Sequence, residues 1–186
     1  MKKILLLAVV TVLGFTNANA QKINFGVKGG LNFASISGDN TKEIDPVAAF
    51  NFGLLSEIPI SEKFSFQPEV MFSGQGYSFK DKDNLIALNY LNVPLMGKYY
   101  VTKGLSIEAG PQIGFLLSAK DEKKDVKDSF KTFDFGVNFG LGYKLENGIN
   151  FGVRYNLGLT DINNLDNYSG KNKNGVLQVS VGYFFF

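Results

Sequence analysis

The sequence predicts an all-β fold, an eight-stranded antiparallel up-and-down transmembrane β-barrel behind an N-terminal signal peptide. Three observations predict it. Beyond Lys22, apolar residues recur at every second position in eight successive runs, the period of a strand and not of a helix. The connections between runs alternate between tight turns and polar stretches of roughly a dozen residues, the asymmetry of membrane barrels. No apolar face carries Asp, Glu, Lys or Arg, and a Lys or Arg at the bilayer midplane costs about 2–4 kcal/mol.

Residues 1–20 read as a cleaved signal peptide. Lys2 and Lys3 give the positive start, Ile4 to Phe15 the apolar stretch, and Ala18-Asn19-Ala20 the small-x-small cleavage site. A transmembrane anchor is the alternative, but the apolar run falls short of the roughly 20 residues a helical span needs. The mature domain is then 21–186. Without Lys2 and Lys3 it holds 17 basic and 17 acidic side chains, with none of the basic excess that nucleic-acid binding requires. Eighteen Phe, eight Tyr and 21 Gly favour strands and turns over long helices. There is no Cys, so stability has to come from a source other than disulfides, such as closed strand pairing.

The runs follow in order. The first sets Ile23, Phe25, Val27, Gly29, Leu31 and Phe33 against Asn24, Gly26, Lys28, Gly30 and Asn32. The second, about Ala48 to Ile58, lines up Phe50, Phe52, Leu54 and Ile58, with Ser56 almost the only polar member of the apolar faces. The third opposes Phe64, Phe66, Val70 and Phe72 to Ser65, Gln67, Glu69 and Ser73; the fourth opposes Leu91, Val93, Leu95, Tyr99 and Val101 to Asn92, Met96 and Lys98. In the fifth, Leu105, Ile107, Ala109, Ile113 and Phe115 face away from Ser106, Glu108 and Gln112. The sixth alternates without exception from Phe133 to Lys144, and the seventh sets Phe151, Val153, Tyr155, Leu157 and Leu159 against Asn150, Gly152, Arg154 and Asn156. The last sets Leu177, Val179, Val181, Tyr183 and Phe185 against Gln178, Ser180 and Gly182.

Long connections fall at 35–46, 77–89, 118–131 and 161–174, and short turns at 59–63, 102–104 and 146–148. The apolar faces are expected to meet lipid, because the opposite faces are too rich in Gly, Asn and Ser, and too poor in charge, for a solvated exterior. Small polar residues instead suit the lumen of a narrow barrel. Phe33, Phe50, Phe72, Phe115 and Phe133 fall toward the long-loop ends, and Phe64, Phe66, Tyr99, Tyr143, Phe151, Tyr183 and Phe185 toward the short turns. These are two aromatic girdles around an aliphatic belt. Pro68, Pro94 and Pro111 each remove a ladder hydrogen bond, and Pro94 and Pro111 fall nearly opposite one another. A local irregularity or bulge is expected in that strand pair.

Phe25-Gly26-Val27-Lys28-Gly29-Gly30-Leu31-Asn32, Tyr90-Leu91-Asn92-Val93-Pro94-Leu95, Ile107-Glu108-Ala109-Gly110-Pro111-Gln112 and Tyr155-Asn156-Leu157-Gly158-Leu159 carry a resemblance to the PorT-like outer membrane β-barrel family of Bacteroidetes. The resemblance spans the mature chain. It implies residence in the bacterial outer membrane and contact with its lipids and lipopolysaccharide. The ending Gly182-Tyr183-Phe184-Phe185 resembles the aromatic C-terminal signal read by the barrel assembly machinery, with Gly182, Tyr183 and Phe185 as its residues.

With no His and no Cys, the commonest nucleophile–base pairs and zinc sites are excluded. The candidate site is a lumenal charge cluster of Lys28, Glu57, Glu69, Lys98, Glu108, Asp134 and Arg154, in which acids neutralise bases rather than perform acid–base chemistry. Lys98 and Glu108 are expected side by side across adjacent strands. Gly136-x-x-x-Gly140-x-Gly142 opens no helix, so it fails the context of a phosphate loop. The acids Asp39, Glu43 and Asp45, and Asp121, Glu122, Asp125 and Asp128, are interleaved with lysines, the pattern of solvated loops more than of a Ca²⁺ site. Asn167-Tyr168-Ser169 matches a glycosylation sequon by chance. No cofactor or metal and no enzymatic activity is expected. The functional expectation is a structural or surface-interaction role for a filled polar lumen with long extracellular loops. A narrow porin-like channel is the alternative, or, as the resemblance implies, an accessory part of a protein-secretion system.

Overall fold

The structure, a computed structural model, describes residues 23–39, 41–79, 82–165 and 170–185. The expected signal peptide and the Asn167 sequon lie outside the described residues. Eight long strands run β1 Asn24–Gly38, β2 Ile44–Pro59, β3 Phe64–Phe79, β4 Lys82–Tyr100, β5 Leu105–Asp121, β6 Phe133–Lys144, β7 Ile149–Gly158 and β8 Asn172–Phe184. Each pairs antiparallel with its chain neighbour, and β1 also pairs with β8, from Gly26 opposite Phe184 to Gly38 opposite Asn172. The sheet is therefore a closed barrel with no free edge. Among the described residues no helix is long and apolar enough to cross a membrane.

The faces are turned as the alternation predicts. Phe50 is 71% exposed and Leu54 63%, whereas Glu57 and Glu69 retain only 2%. A soluble barrel would show the reverse. The outer wall is an apolar band in which Phe52 stacks on Phe72 at 5.1 Å and Phe115 meets Phe133 edge-on at 6.0 Å.

Two expectations need correction. Two of the long connections, 35–46 and 77–89, are mostly strand, as β1 runs on to Gly38, β2 starts at Ile44, β3 continues to Phe79 and β4 starts at Lys82, and β5 extends into the third as far as Asp121. These extensions hold because they pair with each other, Ser78 with Leu85 and Ile86 with Asp121. Their inward side chains also bury one another. Ile36, Ile86, Leu88, Tyr90, Leu116 and Ala119 form an apolar plug with Ile162, which reaches in from the β7–β8 connection. The lumen is thus polar only over its middle and short-turn end.

The irregularity expected in the strand pair that carries Pro94 and Pro111 is present, in two places. Between Pro94–Gln112 and Gly97–Ala109 the β4–β5 ladder lapses without a change of register, leaving Pro111 across from Leu95. A missing N–H removes a bond but inserts no residue, so the irregularity at the prolines is a gap in the ladder and not a bulge. The register shift in this pair lies nearer the loops, at Asn89 and Tyr90, where β5 carries Leu117 as an extra residue. That insertion changes the phase of β5, and both Leu116 and Ala119 turn into the plug.

Candidate functional site

One register row builds most of the lumenal site. Lys98, Glu108, Gly140, Arg154 and Gln178 lie opposite one another on β4, β5, β6, β7 and β8 in turn. Adjacent strands are about 4.8 Å apart, so Glu108 and Arg154 flank Gly140 from two strands' distance. Their side chains meet over it, Arg154 Nη2 donating to Glu108 Oε2 at 3.0 Å. A Cβ on Gly140 would press on Arg154 and the Val153 carbonyl, and one on Gly142 would collide with the Glu108 carboxylate. These glycines therefore leave room for an ion pair inside a strand.

Glu69 completes the network from β3. Arg154 grips it with a fork, Nη1 to Oε2 at 3.0 Å and Nη2 to Oε1 at 2.9 Å, the geometry that makes Arg–carboxylate pairs strong. Lys28 of β1 donates to Oε2 at 2.7 Å and Gln67 Nε2 to Oε1 at 2.7 Å. Lys98 lies 3.3 Å from Glu108 Oε1, the pair expected from the sequence, and donates to Gln67 Oε1 at 3.1 Å. Ser106 donates to Glu108 Oε1 at 3.2 Å. Every oxygen of Glu69 and Glu108 thus accepts at least one hydrogen bond. The arrangement neutralises charge and ties β1, β3, β4, β5 and β7 together across the lumen.

Two residues of the expected cluster stand outside this network. Glu57 accepts from Lys144 Nζ at 2.8 Å and from the Tyr100 hydroxyl, nearer the short turns. Asp134 sits toward the loops. Asn174 Nδ2 donates to its Oδ2 at 2.8 Å, and its buried Oδ1 has no partner among the described residues. Sequence reasoning missed Lys144, Tyr100 and Phe184. Phe184 is 4% exposed and lies under Lys144, with 4.6 Å from Nζ to the ring centroid. Its even-numbered position on an odd-outward strand was the available signal. Tyr183 and Phe185 face outward at the short-turn end, their rings edge-on at 5.7 Å, and Gly182 points inward opposite Lys28.

Above the ions lies a layer of amides. Asn32 donates to Ser73 at 2.9 Å and accepts from Asn51 at 2.8 Å, while Asn138 links Gln112 and Asn156. The apolar plug follows. The outermost connections are cross-braced by Asp161, which accepts from the backbone N–H groups of Asn172 at 2.9 Å and Asn163 at 3.2 Å and from Lys131 at 3.0 Å. Partial burial pushes the Asp161 pKa up, but the Asn172 N–H, the Lys131 ammonium and the Asn163 N–H outweigh it and hold the carboxyl below the usual aspartate value. An apolar recess of about 260 Å³ opens beside this brace, walled by Ile36, Ile44, Tyr77, Phe130 and Ile162. At the opposite end a vestibule of about 1150 Å³ narrows toward Glu57, Tyr100 and Lys144. The loop acids do not assemble: among the described residues no three of His, Cys, Asp or Glu are placed to hold a metal ion.

The geometry has close counterparts. Neisserial surface protein A superposes with a TM-score of 0.60 at 14% identity, over 89% of this chain and 100% of that one. Ail, the attachment invasion locus protein of Yersinia pestis, gives 0.55 at 15% identity over 87% and 98%. Its form in a phospholipid bilayer nanodisc gives 0.53 at 14% over 88% and 100%. At such identities the likeness is one of fold. None of the curated proteins matches the chain in sequence. Residues 19–164, however, match the family described as outer membrane protein beta-barrel domain. That match spans most of the chain and agrees with the closed barrel and its apolar outer wall, so the protein belongs to the outer membrane protein β-barrel domain family and resides in the bacterial outer membrane.

Proposed function

We propose that this outer membrane barrel is a non-enzymatic surface protein, with its extracellular end as the working face and its lumen closed. One observation carries the reading. The lumen is obstructed at three successive levels, by the Glu69–Arg154–Glu108 ions, by the amide layer and by the plug around Leu88 and Tyr90, both 0% exposed. A rigid scaffold that presents braced connections suits recognition. Lipopolysaccharide of the surrounding leaflet, or a partner outside the cell, is the ligand class this end meets. The barrel assembly machinery is the partner during insertion, through Gly182, Tyr183 and Phe185. The finer kinship, to PorT-like barrels of Bacteroidetes, rests on the motifs around Val27, Val93, Pro111 and Tyr155.

Ail has been crystallised with the heparin analogue sucrose octasulfate. Lysines at this chain's loop end are interleaved with acids, as at 120–128, which gives no comparable basis for capturing a polyanion. The test has two arms. In planar bilayers the purified barrel is expected to show no steady conductance; a stable conducting state would move the protein to the channel class. Replacing 122–129 by a Gly-Ser turn is expected to leave the barrel folded and to lower binding of lipopolysaccharide vesicles. Unchanged binding would remove the loops from the role, and co-purification with secretion components would redirect it.

A further inference from the structure

We propose that the lumen holds one small inorganic anion, of the size of chloride, between Lys28, Lys98, Arg154 and Asn150. Charge is the first reason. The central network sets three cations, Lys28, Lys98 and Arg154, against two carboxylates, Glu69 and Glu108. The neighbouring Glu57–Lys144 pair is neutral in sum and leaves the excess of one positive charge in place. Asp134 does not offset it. It lies six positions along β6 from Gly140, about 20 Å at the rise of a strand. Residual positive charge buried at 4–7% exposure is strongly unfavourable unless it is compensated.

Space is the second reason. Beside the network lies a cavity of about 20 Å³ whose lining includes Lys28, Lys98, Glu108, Asn150, Arg154 and Ser180. That is room for a single small occupant.

The third reason is a set of unused donors. Asn150 Nδ2 is buried with no hydrogen-bond partner. Among the described residues the Lys28 ammonium donates only to Glu69, and the Ser180 hydroxyl makes one long bond of 3.5 Å to the Gly152 carbonyl. A water molecule would also fit the space. It would leave the charge uncompensated, and the one carboxylate in the lining, Glu108, already accepts from Ser106 and Arg154 and pairs with Lys98. A monatomic anion accepts from all the free donors and cancels the excess charge. The cavity lies on the short-turn side of the amide layer. The amide layer and the plug stop the ion from passing further, which makes this a dead-end counter-ion site.

The test uses the mature chain refolded in detergent micelles. Urea unfolding is compared in potassium chloride and potassium gluconate at equal ionic strength, gluconate being too large for the cavity. With chloride at ten times its dissociation constant, the unfolding constant is expected to fall about tenfold relative to gluconate. In Lys28→Gln, which removes the excess charge and keeps the Arg154–Glu69 fork, that difference is expected to vanish. A crystal grown in bromide is expected to show an anomalous peak between Lys28, Lys98 and Asn150, a readout that does not depend on the variant folding. A bromide crystal with only water in the cavity overturns the proposal. A chloride effect that persists in Lys28→Gln overturns it too, since the ion would then act elsewhere.

Discussion

Glu69 carries more of the lumen's organisation than any other side chain, because it accepts from two cations and an amide on three strands. Glu69→Gln keeps its size and removes its charge, leaving Arg154 and Lys28 short of a counter-ion. Breaking a buried pair in this way costs about 3–5 kcal/mol, and the expected result is a correspondingly lower urea midpoint in micelles. Asp134→Asn removes a carboxylate that has no cation partner among the described residues, and is expected to leave the midpoint nearly unchanged. Much of this site was legible in the sequence. The short turn at 102–104 fixes the register of β4 and β5, so Lys98 and Glu108 could be paired by counting alone. The Glu69–Arg154 fork could not. It joins strands that are not neighbours, and its register depends on how the whole sheet is staggered on closure.

At the level of elements, the connections hold features that alternation concealed. Polar and charged residues around Asp39, Lys82 and Glu122 make 35–46, 77–89 and 118–131 look like loops, yet the inward positions among them are Ile36, Ile86, Leu88 and Ala119. Period-two reasoning recognises a strand by one apolar face turned to lipid. In these extensions the inward positions are apolar as well, so the alternation fades and the strands appear to stop. The brace around Asp161 gives this end a pH dependence. Its carboxyl titrates lower in the folded protein than in the unfolded chain, so the stabilisation is fully present above the ordinary value of 3.8 and is lost as the pH falls through the lower folded value. Amide protection factors of Asn163 and Asn172 are expected to hold from neutrality to about pH 5 and to drop below the ordinary aspartate range. Protection that fell already between pH 7 and 5 would assign the brace to another group.

For the whole molecule, lipid and lumen impose opposite chemistry on residues one position apart. Val153 is 48% exposed on the outer wall, and its neighbour Arg154 is 6% exposed inside. Val153→Arg is expected to cost about 2–4 kcal/mol, the range for a basic residue near the midplane of a barrel, read as a loss of folded fraction on refolding into lipid vesicles. An unchanged fraction would mean that this wall does not face hydrocarbon. Strand number, order and facing were all readable beforehand because the bilayer enforces them at every second residue. Which polar groups meet across the lumen is set by only a few side chains in three dimensions.

The seam between β1 and β8 also bears on how the protein is made. The first strand has its second partner at the far end of the polypeptide, at 172–184. Until that segment arrives the sheet is an open ribbon with two raw backbone margins, which hydrocarbon does not tolerate. Insertion therefore has to wait for the segment 172–184, and a chain stopped before Asn172 cannot close the same cylinder.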